Sequence, residues 1–177
     1  MDLYTDALCK RIKEENRIYD TVYFGGGTPS QLGSERICKI LACINRTPDC
    51  EVTLECNPSD TGTENSVFDF DAIAKAGVNR ISMGLQSAVD SERKALGRKS
   101  GQAEVRRSIA RARSAGISNI SLDLMLAVPN QTKESLKESI AFCADSGATH
   151  ISAYILKIEE GTFFHKTKDR LALTDED

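Results

Sequence analysis

Apolar residues along the chain alternate between short continuous runs and stretches with helical spacing. Short runs that end at Gly, Pro or Asn are typical of buried strands. The predicted strands are 21–24, 51–55, 80–86, 117–128 and 150–158. The stretches between them place apolar residues three or four positions apart, which predicts helices. The predicted helices are 2–19, 34–45, 67–75, 91–115 with an interruption at 97–101, and 132–146.

Strands that alternate with helices predict a parallel α/β fold, and one strand about every 30 residues is the repeat of a βα barrel or a doubly wound sheet. With 177 residues, 40% of them hydrophobic, the chain is long enough for one domain with its own core. We expect a domain over 1–170 and an acidic tail over 171–177. Because the pattern begins with a helix, a first strand is expected to be missing. The open edge then offers a place for self-association.

Charge and composition give no global reason to expect a nucleic-acid or membrane partner. The net charge is −3, and no apolar run reaches the roughly 20 residues that span a bilayer. The N-terminus lacks a secretory signal, so a cytoplasmic location is expected. The basic stretch 93–113 has no aromatic residue to stack on bases, which favours a solvated helix over an RNA-binding face. Arg98 is the exception, because it lies at the interruption and can turn towards a site.

The cysteines do not have the spacing of a metal site. The six cysteines are Cys9, Cys38, Cys43, Cys50, Cys56 and Cys143. None form a C-x-x-C pair, and His150 and His165 are far apart, so no metal ligand is predicted. We interpret the cysteines mainly as small buried residues.

Polar groups follow the predicted strands, where α/β folds place their binding sites. The first strand ends in glycines at 25–27, and the others end near Glu55, Gln86, Asp123 and Lys157. The glycines either make a tight turn or let a ligand approach bare backbone. No lysine follows them as in a phosphate-binding P-loop. Glu55 and Gln86 are either ligand contacts or ordinary rim residues.

Asp123 has apolar neighbours, Leu122, Leu124 and Met125. A carboxylate in such a strand needs a partner, which is either a ligand hydroxyl or a structural salt bridge. A further interpretation makes Asp123 and Glu55 the acid and base of an unrelated barrel enzyme.

Five motifs occur in a recognisable order. They are YFGGGTPS at 23–30, TLECNP at 53–58, NRISMGLQS at 79–87, LGR at 96–98, and SLDLM at 121–125 followed by P-x-Q-T at 129–132. Together they resemble the radical S-adenosylmethionine (SAM) core of the oxygen-independent coproporphyrinogen III oxidase and heme chaperone family. The segment ISAYILKIEEGT at 151–162 looks more like the heme chaperone branch.

The resemblance implies a partial (β/α)6 radical SAM barrel of the TIM-like type, with five parallel strands present and the first strand missing. It also implies that SAM is the cofactor. Gly26, Gly27 and Thr28 would line its methionyl group. Arg98 would pair with its carboxylate, as a guanidinium does well.

The remaining roles implied by the resemblance concern the ribose side of SAM and the rim of the site. Gln86 and Asp123 would bind the ribose. Glu55 would contact SAM, or a second SAM molecule in the oxidase branch, and Lys157 would contribute a backbone contact.

The chain also departs from the family pattern. The family holds a [4Fe–4S] cluster on a C-x3-C-x2-C loop after its first strand, and this sequence lacks that loop. The cluster is therefore expected in the full-length protein only, with its cysteines within roughly 30 residues upstream of Met1. The chain alone, with no catalytic residue of its own, is expected to be inactive. The family's C-terminal domain is absent too, so porphyrin or heme is expected as a partner of the full-length protein only.

Ala127 stands where the family usually has glycine. The alternative to a piece of a radical SAM protein is a non-catalytic domain that has lost the cluster and binds SAM or a partner.

Overall fold

The computed structural model describes residues 1–167, which form a five-stranded parallel sheet. The strands are β1 (Ile18–Phe24), β2 (Asn45–Cys56), β3 (Arg80–Gln86), β4 (Asn119–Leu126) and β5 (His150–Ile155). They lie side by side in chain order, and each neighbouring pair is parallel. The sheet curls into half of a barrel. The predicted α/β class and the five parallel strands are thereby confirmed.

Helices connect the strands. They are α1 (Asp2–Glu15), α2 (Ser34–Leu41), α3 (Pro58–Thr61), α4 (Phe70–Lys75), α5 (Asp90–Ala95), α6 (Gln102–Ser114), α7 (Lys133–Ser146) and α8 (Phe163–Thr167). The predicted interruption at 97–101 separates α5 from α6. None of the helices in residues 1–167 is long and apolar enough to cross a bilayer. The predicted acidic tail, 171–177, lies outside the described residues.

The two faces of the sheet differ in chemistry because successive side chains of a strand point to opposite faces. The apolar face packs against the helices and forms the core. Its buried strand residues include Val52, Leu54, Ile81, Met83, Ile120 and Leu122. The opposite face, called here the polar face, carries side chains placed in register across the strands. They are Tyr23, Thr53, Glu55, Arg80, Ser82, Ser121, Asp123 and Ser152.

Two predicted helices end earlier than expected. The first, α1, ends at Glu15, because Asn16 adopts a left-handed φ of 44° that stops the helix. The strand β1 begins at Ile18, within the predicted helix. Similarly, α2 ends at Leu41, and β2 begins at Asn45 because this residue pairs with Ile18 at the start of β1.

The last two strands are shorter than predicted. The strand β4 covers Asn119–Leu126 and not 117–128, and β5 stops at Ile155 and not at 158. After β4 the chain turns sharply at Ala127, whose φ is 57°. This left-handed conformation favours glycine, the residue that the family resemblance implies at this position.

We expect Ala127→Gly to raise the free energy of unfolding by up to about 1 kcal/mol. A left-handed backbone costs an L residue roughly 1–2 kcal/mol, and the greater freedom of glycine in the unfolded chain offsets part of that gain. Urea unfolding measures the change. The control Ala115→Gly, at an ordinary φ of −80°, should lower stability. An Ala127→Gly protein that is no more stable than wild type would contradict the prediction.

Candidate ligand-binding site

A pocket of about 160 Å³ lies at the carboxyl ends of β1 to β4. It occupies the edge where the sequence predicts a site, because the loops of parallel strands meet there. Six of the predicted binding residues line it: Gly27, Thr28, Glu55, Gln86, Arg98 and Asp123. Folding therefore brings residues from the ends of four strands, and one residue from the loop between α5 and α6, around a single cavity.

The glycine loop after β1 passes close to its neighbours on one side and leaves open space on the other. A Cβ at Gly25 would lie 2.6 Å from Tyr23 Cε1 and 3.3 Å from Glu55 Oε1. Gly26, whose φ of 108° is rare for L residues, turns the chain without lining the pocket itself. A Cβ at Gly27 would have no atom within 4 Å. The bare backbone at Gly27 is thus accessible from the pocket.

Glu55, at the end of β2, is held by a tyrosine of β1. Tyr23 Oη donates a hydrogen bond of 2.8 Å to Glu55 Oε1. Burial and this hydrogen bond raise the pKa of Tyr23 to about 12, so the phenol remains a donor at neutral pH. The pairing fixes the direction of the carboxylate and leaves its other oxygen available to a ligand.

Gln86 has an uncommon backbone conformation at the end of β3. Its φ of 68° lies in the left-handed region, which is unfavourable for a residue with a Cβ. The strand register shifts between Gly84 and Gln86, and a Cβ at Gly84 would lie 2.7 Å from Gln86 Nε2. The Gln86 Oε1 atom is buried and has no hydrogen-bond partner among the described residues. An unpaired acceptor of this kind is suited to a donor on a ligand.

Asp123 lies on the polar face of β4 and borders the pocket. Its Oδ1 accepts a hydrogen bond of 3.3 Å from Ser82 Oγ. Burial raises the pKa of Asp123, whereas hydrogen bonds from Ser82 and Ser152 act in the opposite direction. Within residues 1–167 no ion pair involves Asp123, so the predicted salt-bridge alternative finds no partner there. The carboxylate can therefore accept further hydrogen bonds from a ligand.

Arg98 brings a positive charge to the pocket. The turn at Gly97, whose φ is 68°, and a 2.9 Å bond from Arg98 N–H to the Arg93 carbonyl oxygen fix the loop after α5. The Arg98 side chain is exposed and forms no ion pair with the part of the chain described. Its guanidinium is suited to bind a ligand carboxylate with two parallel hydrogen bonds.

Lys157 does not lie among the pocket residues. It follows the end of β5, its side chain is exposed, and its Nζ lies 2.9 Å from Glu159 Oε1. The family resemblance implies a backbone contact at Lys157, and this role stays a prediction.

Several polar residues of the strands that lie away from the carboxyl ends were not predicted from the sequence. Ser82 lines the pocket and donates to Asp123, and Arg80 Nη1 donates to Thr53 Oγ1 over 3.2 Å. The hydroxyls of Ser121 and Ser152 lie 3.2 Å apart. The alternation of polar and apolar residues within β2 to β5 was the signal that could have identified them.

Part of the basic stretch is exposed to solvent as expected, as at Lys99, whereas two of its arginines form structural contacts. Arg107 Nε donates to the Gly62 carbonyl oxygen over 2.6 Å, and Arg111 Nη1 donates to that of Thr61 over 2.7 Å. These bonds attach α6 to the segment around α3. The sequence did not predict these two contacts, because helical spacing does not reveal which backbone carbonyls an arginine can reach.

Four cysteines are buried, as the sequence suggests for small core residues. They are Cys9, Cys50, Cys56 and Cys143. Burial raises the pKa of the Cys143 thiol to about 11, so this thiol is protonated at neutral pH. Residues 1–167 contain no group of three or more Cys, His, Asp or Glu side chains suited to hold a metal ion.

The half-barrel and its strand-end pocket define a class of protein. Residues 5–143 match the family described as the Radical SAM superfamily, and the chain belongs to this superfamily. The chain is 38% identical over 160 residues to the heme chaperone HemW of Bacillus subtilis, covering 86% of this chain and 41% of that relative. It therefore spans less than half the length of this relative.

Solved structures show the same fold. Coproporphyrinogen III oxidase (HemN) from Escherichia coli, a radical SAM enzyme, superposes with a TM-score of 0.84 at 23% identity, covering 99% of this chain and 42% of that one. The radical SAM methyltransferase TsrM of Kitasatospora setae, solved with cobalamin and a [4Fe–4S] cluster bound, gives a TM-score of 0.58 at 14% identity, covering 87% of this chain and 28% of that one. These two structural similarities show the fold alone.

The pocket residues fit the chemistry of SAM. SAM carries a carboxylate and ribose hydroxyls. The pocket offers Arg98 for the carboxylate, and the unpaired Oε1 of Gln86 and the carboxylate of Asp123 for the hydroxyls. The open backbone at Gly27 suits the close approach of a flexible amino-acid chain.

Proposed function

We propose that this chain is the SAM-binding core of a radical SAM protein of the heme chaperone type, with the coproporphyrinogen oxidase type as the other branch. The convergence of Arg98, Gln86 and Asp123 on one pocket beside the bare backbone of Gly27 carries the proposal. Membership of the radical SAM superfamily and the 38% identity to a heme chaperone support it.

The proposed contacts follow the charges of the ligand. Arg98 binds the carboxylate of SAM, and Gln86 and Asp123 accept hydrogen bonds from the ribose hydroxyls. The loop residues Gly27 and Thr28 line the methionyl group, and Gly26 provides the turn that places them there.

The two remaining site residues have more peripheral proposed roles. Glu55 contacts SAM through the oxygen that Tyr23 does not occupy. Lys157 contributes a backbone contact from the end of β5.

A [4Fe–4S] cluster, where a radical SAM protein holds one, supplies the electron that starts the cleavage of SAM. The described residues do not fit such a cluster, since they contain no suitable group of ligands. The role proposed for residues 1–167 is therefore to bind and orient SAM.

The wider assignments concern the whole protein and its surroundings. We propose heme or porphyrin as the partner of the whole protein, a cytoplasmic location, and a single core domain over 1–170. We also propose that the chain can associate with itself through the free edge of β1, which pairs only with β2 in the described part of the chain.

Calorimetric titration with SAM tests the proposed function. We expect wild type to bind SAM and Arg98→Ala to bind it about tenfold more weakly, because a charged hydrogen bond to the ligand carboxylate is lost. Decarboxylated SAM should bind both proteins alike. The control Lys99→Ala removes an exposed cation from the same loop outside the pocket and should match wild type. A wild-type protein that does not bind SAM would contradict the proposal and favour the acid–base interpretation of Asp123 and Glu55.

A further inference from the structure

Glu92, in the first turn of α5, is an almost fully buried carboxylate outside the pocket lining. Its exposed fraction is 1%. No ion pair involves Glu92 within residues 1–167, and its Oε1 is buried without a hydrogen-bond partner. Burial of such a group is unfavourable for folding, because its unpaired oxygen loses its hydrogen bonds to water without gaining others. Stability alone therefore does not account for a carboxylate here.

The second oxygen of Glu92 holds the turn that follows Gln86. Ser87 Oγ donates to Glu92 Oε2 over 2.7 Å and accepts from Val89 N–H over 2.9 Å, which closes the turn. Arg93 Nη1 donates to the Ser87 carbonyl oxygen over 2.7 Å. Because Gln86 has a strained, left-handed backbone, the direction of its side chain depends on how firmly the next residue is held.

The same carboxylate oxygen also reaches the loop after β4. Gln131 Nε2 lies 3.4 Å from Glu92 Oε2 and 3.0 Å from the Met125 carbonyl oxygen. Met125 is two residues beyond Asp123 on the same strand. Glu92 therefore connects the segment that carries Gln86 with the segment that carries Asp123.

The neighbouring polar contacts hold the turn without joining these two segments. Ala88 N–H donates to Ser139 Oγ of α7 over 2.9 Å, and Gln102 Nε2 of α6 donates to the Ala88 carbonyl oxygen over 2.9 Å. Among the described contacts, the side chain of Glu92 is the one that bonds to both Ser87 and Gln131.

We propose that Glu92 is a positioning residue for SAM, which keeps Gln86 and Asp123 in the relative arrangement needed to bind the two ribose hydroxyls together. This inference rests on the proposed function, because it concerns the same ligand. It assigns Glu92 no contact with SAM, and it predicts that losing its oxygens lowers the preference for a ligand with ribose hydroxyls, whatever the change in stability.

The test compares SAM with its 2′,3′-dideoxy analogue by calorimetry. Wild type should bind SAM at least about tenfold more tightly than the analogue. Glu92→Met fills the same space without a hydrogen-bond acceptor, so its preference for SAM should fall to nearly one while its affinity for the analogue stays unchanged. Glu92→Gln keeps an acceptor for Ser87 and Gln131 and should retain most of the preference. Ser108→Ala, which loses a buried 2.7 Å contact with Thr61, controls for a lost internal hydrogen bond and should discriminate like wild type.

The possible results separate this inference from the proposed function. A Glu92→Met protein that discriminates like wild type, or that binds both ligands more weakly in the same proportion, overturns the inference alone. If Glu92→Met does not fold, Gln131→Leu cuts only the link to β4, and an unchanged preference in that variant also overturns it. A wild-type protein that binds SAM and the analogue equally overturns the proposed ribose contacts. A wild-type protein that does not bind SAM overturns the proposed function and, with it, this inference.

Discussion

Replacing Asp123 by asparagine is expected to weaken SAM binding by roughly 10- to 100-fold while leaving the fold stable. Asparagine keeps the size of the side chain but removes the charge, and a hydrogen bond to a charged group contributes about 1.5–3 kcal/mol. Burial raises the pKa of Asp123, which means that its ionised form disfavours the folded state. The neutral side chain removes that cost. Calorimetry with SAM and urea unfolding measure the two effects separately.

The pH dependence of stability and of SAM binding in the wild-type protein should distinguish the cost of Asp123 to folding from its contribution to binding. Because the pKa is raised in the folded state, the stability cost is absent below the unfolded pKa and complete above the folded pKa. Binding of SAM should change in the opposite direction and weaken as the pH falls through the raised pKa. The Asp123→Asn protein should lack both dependences, and Asp145→Asn, at an exposed position of α7, should behave like wild type. Equal SAM affinity in wild type and Asp123→Asn, or collapse of that variant, would contradict the assignment.

Gly62→Ala is expected to lower the free energy of unfolding by about 3 kcal/mol or more. An added Cβ would lie 1.9 Å from the Glu104 carbonyl oxygen and 2.5 Å from Ser108 Oγ, both in α6. The helix cannot easily move away, because Arg107 Nε bonds to the Gly62 carbonyl oxygen over 2.6 Å. Overpacking of this kind forces backbone shifts that typically cost about 1–3 kcal/mol, and a backbone clash lies at the upper end.

Gly27→Ala is the matched control for Gly62→Ala. No atom lies within 4 Å of the added Cβ, and the φ of Gly27 is outside the left-handed region. Its stability should therefore stay within about 0.5 kcal/mol of wild type, whereas SAM binding should weaken because the methyl group enters the pocket. Urea unfolding and calorimetry measure these results. A Gly62→Ala protein as stable as wild type would show that α6 can shift, and undiminished SAM binding by Gly27→Ala would place the ligand elsewhere.

The strands were predictable from the sequence because each consists of an apolar run bounded by a local stop signal. Helix ends were less predictable. The apolar spacing of the first helix continues through Ile18, and only the left-handed backbone of Asn16 ends it at Glu15. Likewise, the early start of β2 at Asn45 depends on pairing with β1, which local sequence does not reveal.

The site was predictable to the extent that it lies at strand ends and carries recognisable motifs. The pocket confirms that residues such as Glu55 and Asp123 come together, but their roles toward SAM stay predictions. The left-handed φ of Gln86 and the link from Glu92 to Gln131 were not predictable, because both depend on contacts between distant segments. Arg80 was not predicted for another reason, since it lies at the start of β3 and only the carboxyl ends of strands were expected to carry site residues.

The two chemically different faces of the sheet limit how the sequence can change over evolutionary time. Inserting or deleting one residue within β4 would exchange Leu122 with Asp123, moving a carboxylate into the core and an aliphatic side chain into the ligand site. Both stability and recognition would fail in one step, so length variation should be confined to the loops between strands. Point substitutions are less constrained, because successive residues of a strand lie on different faces of the sheet and have different surroundings. The polar face can change with the ligand, while the apolar face need only conserve its packed volume.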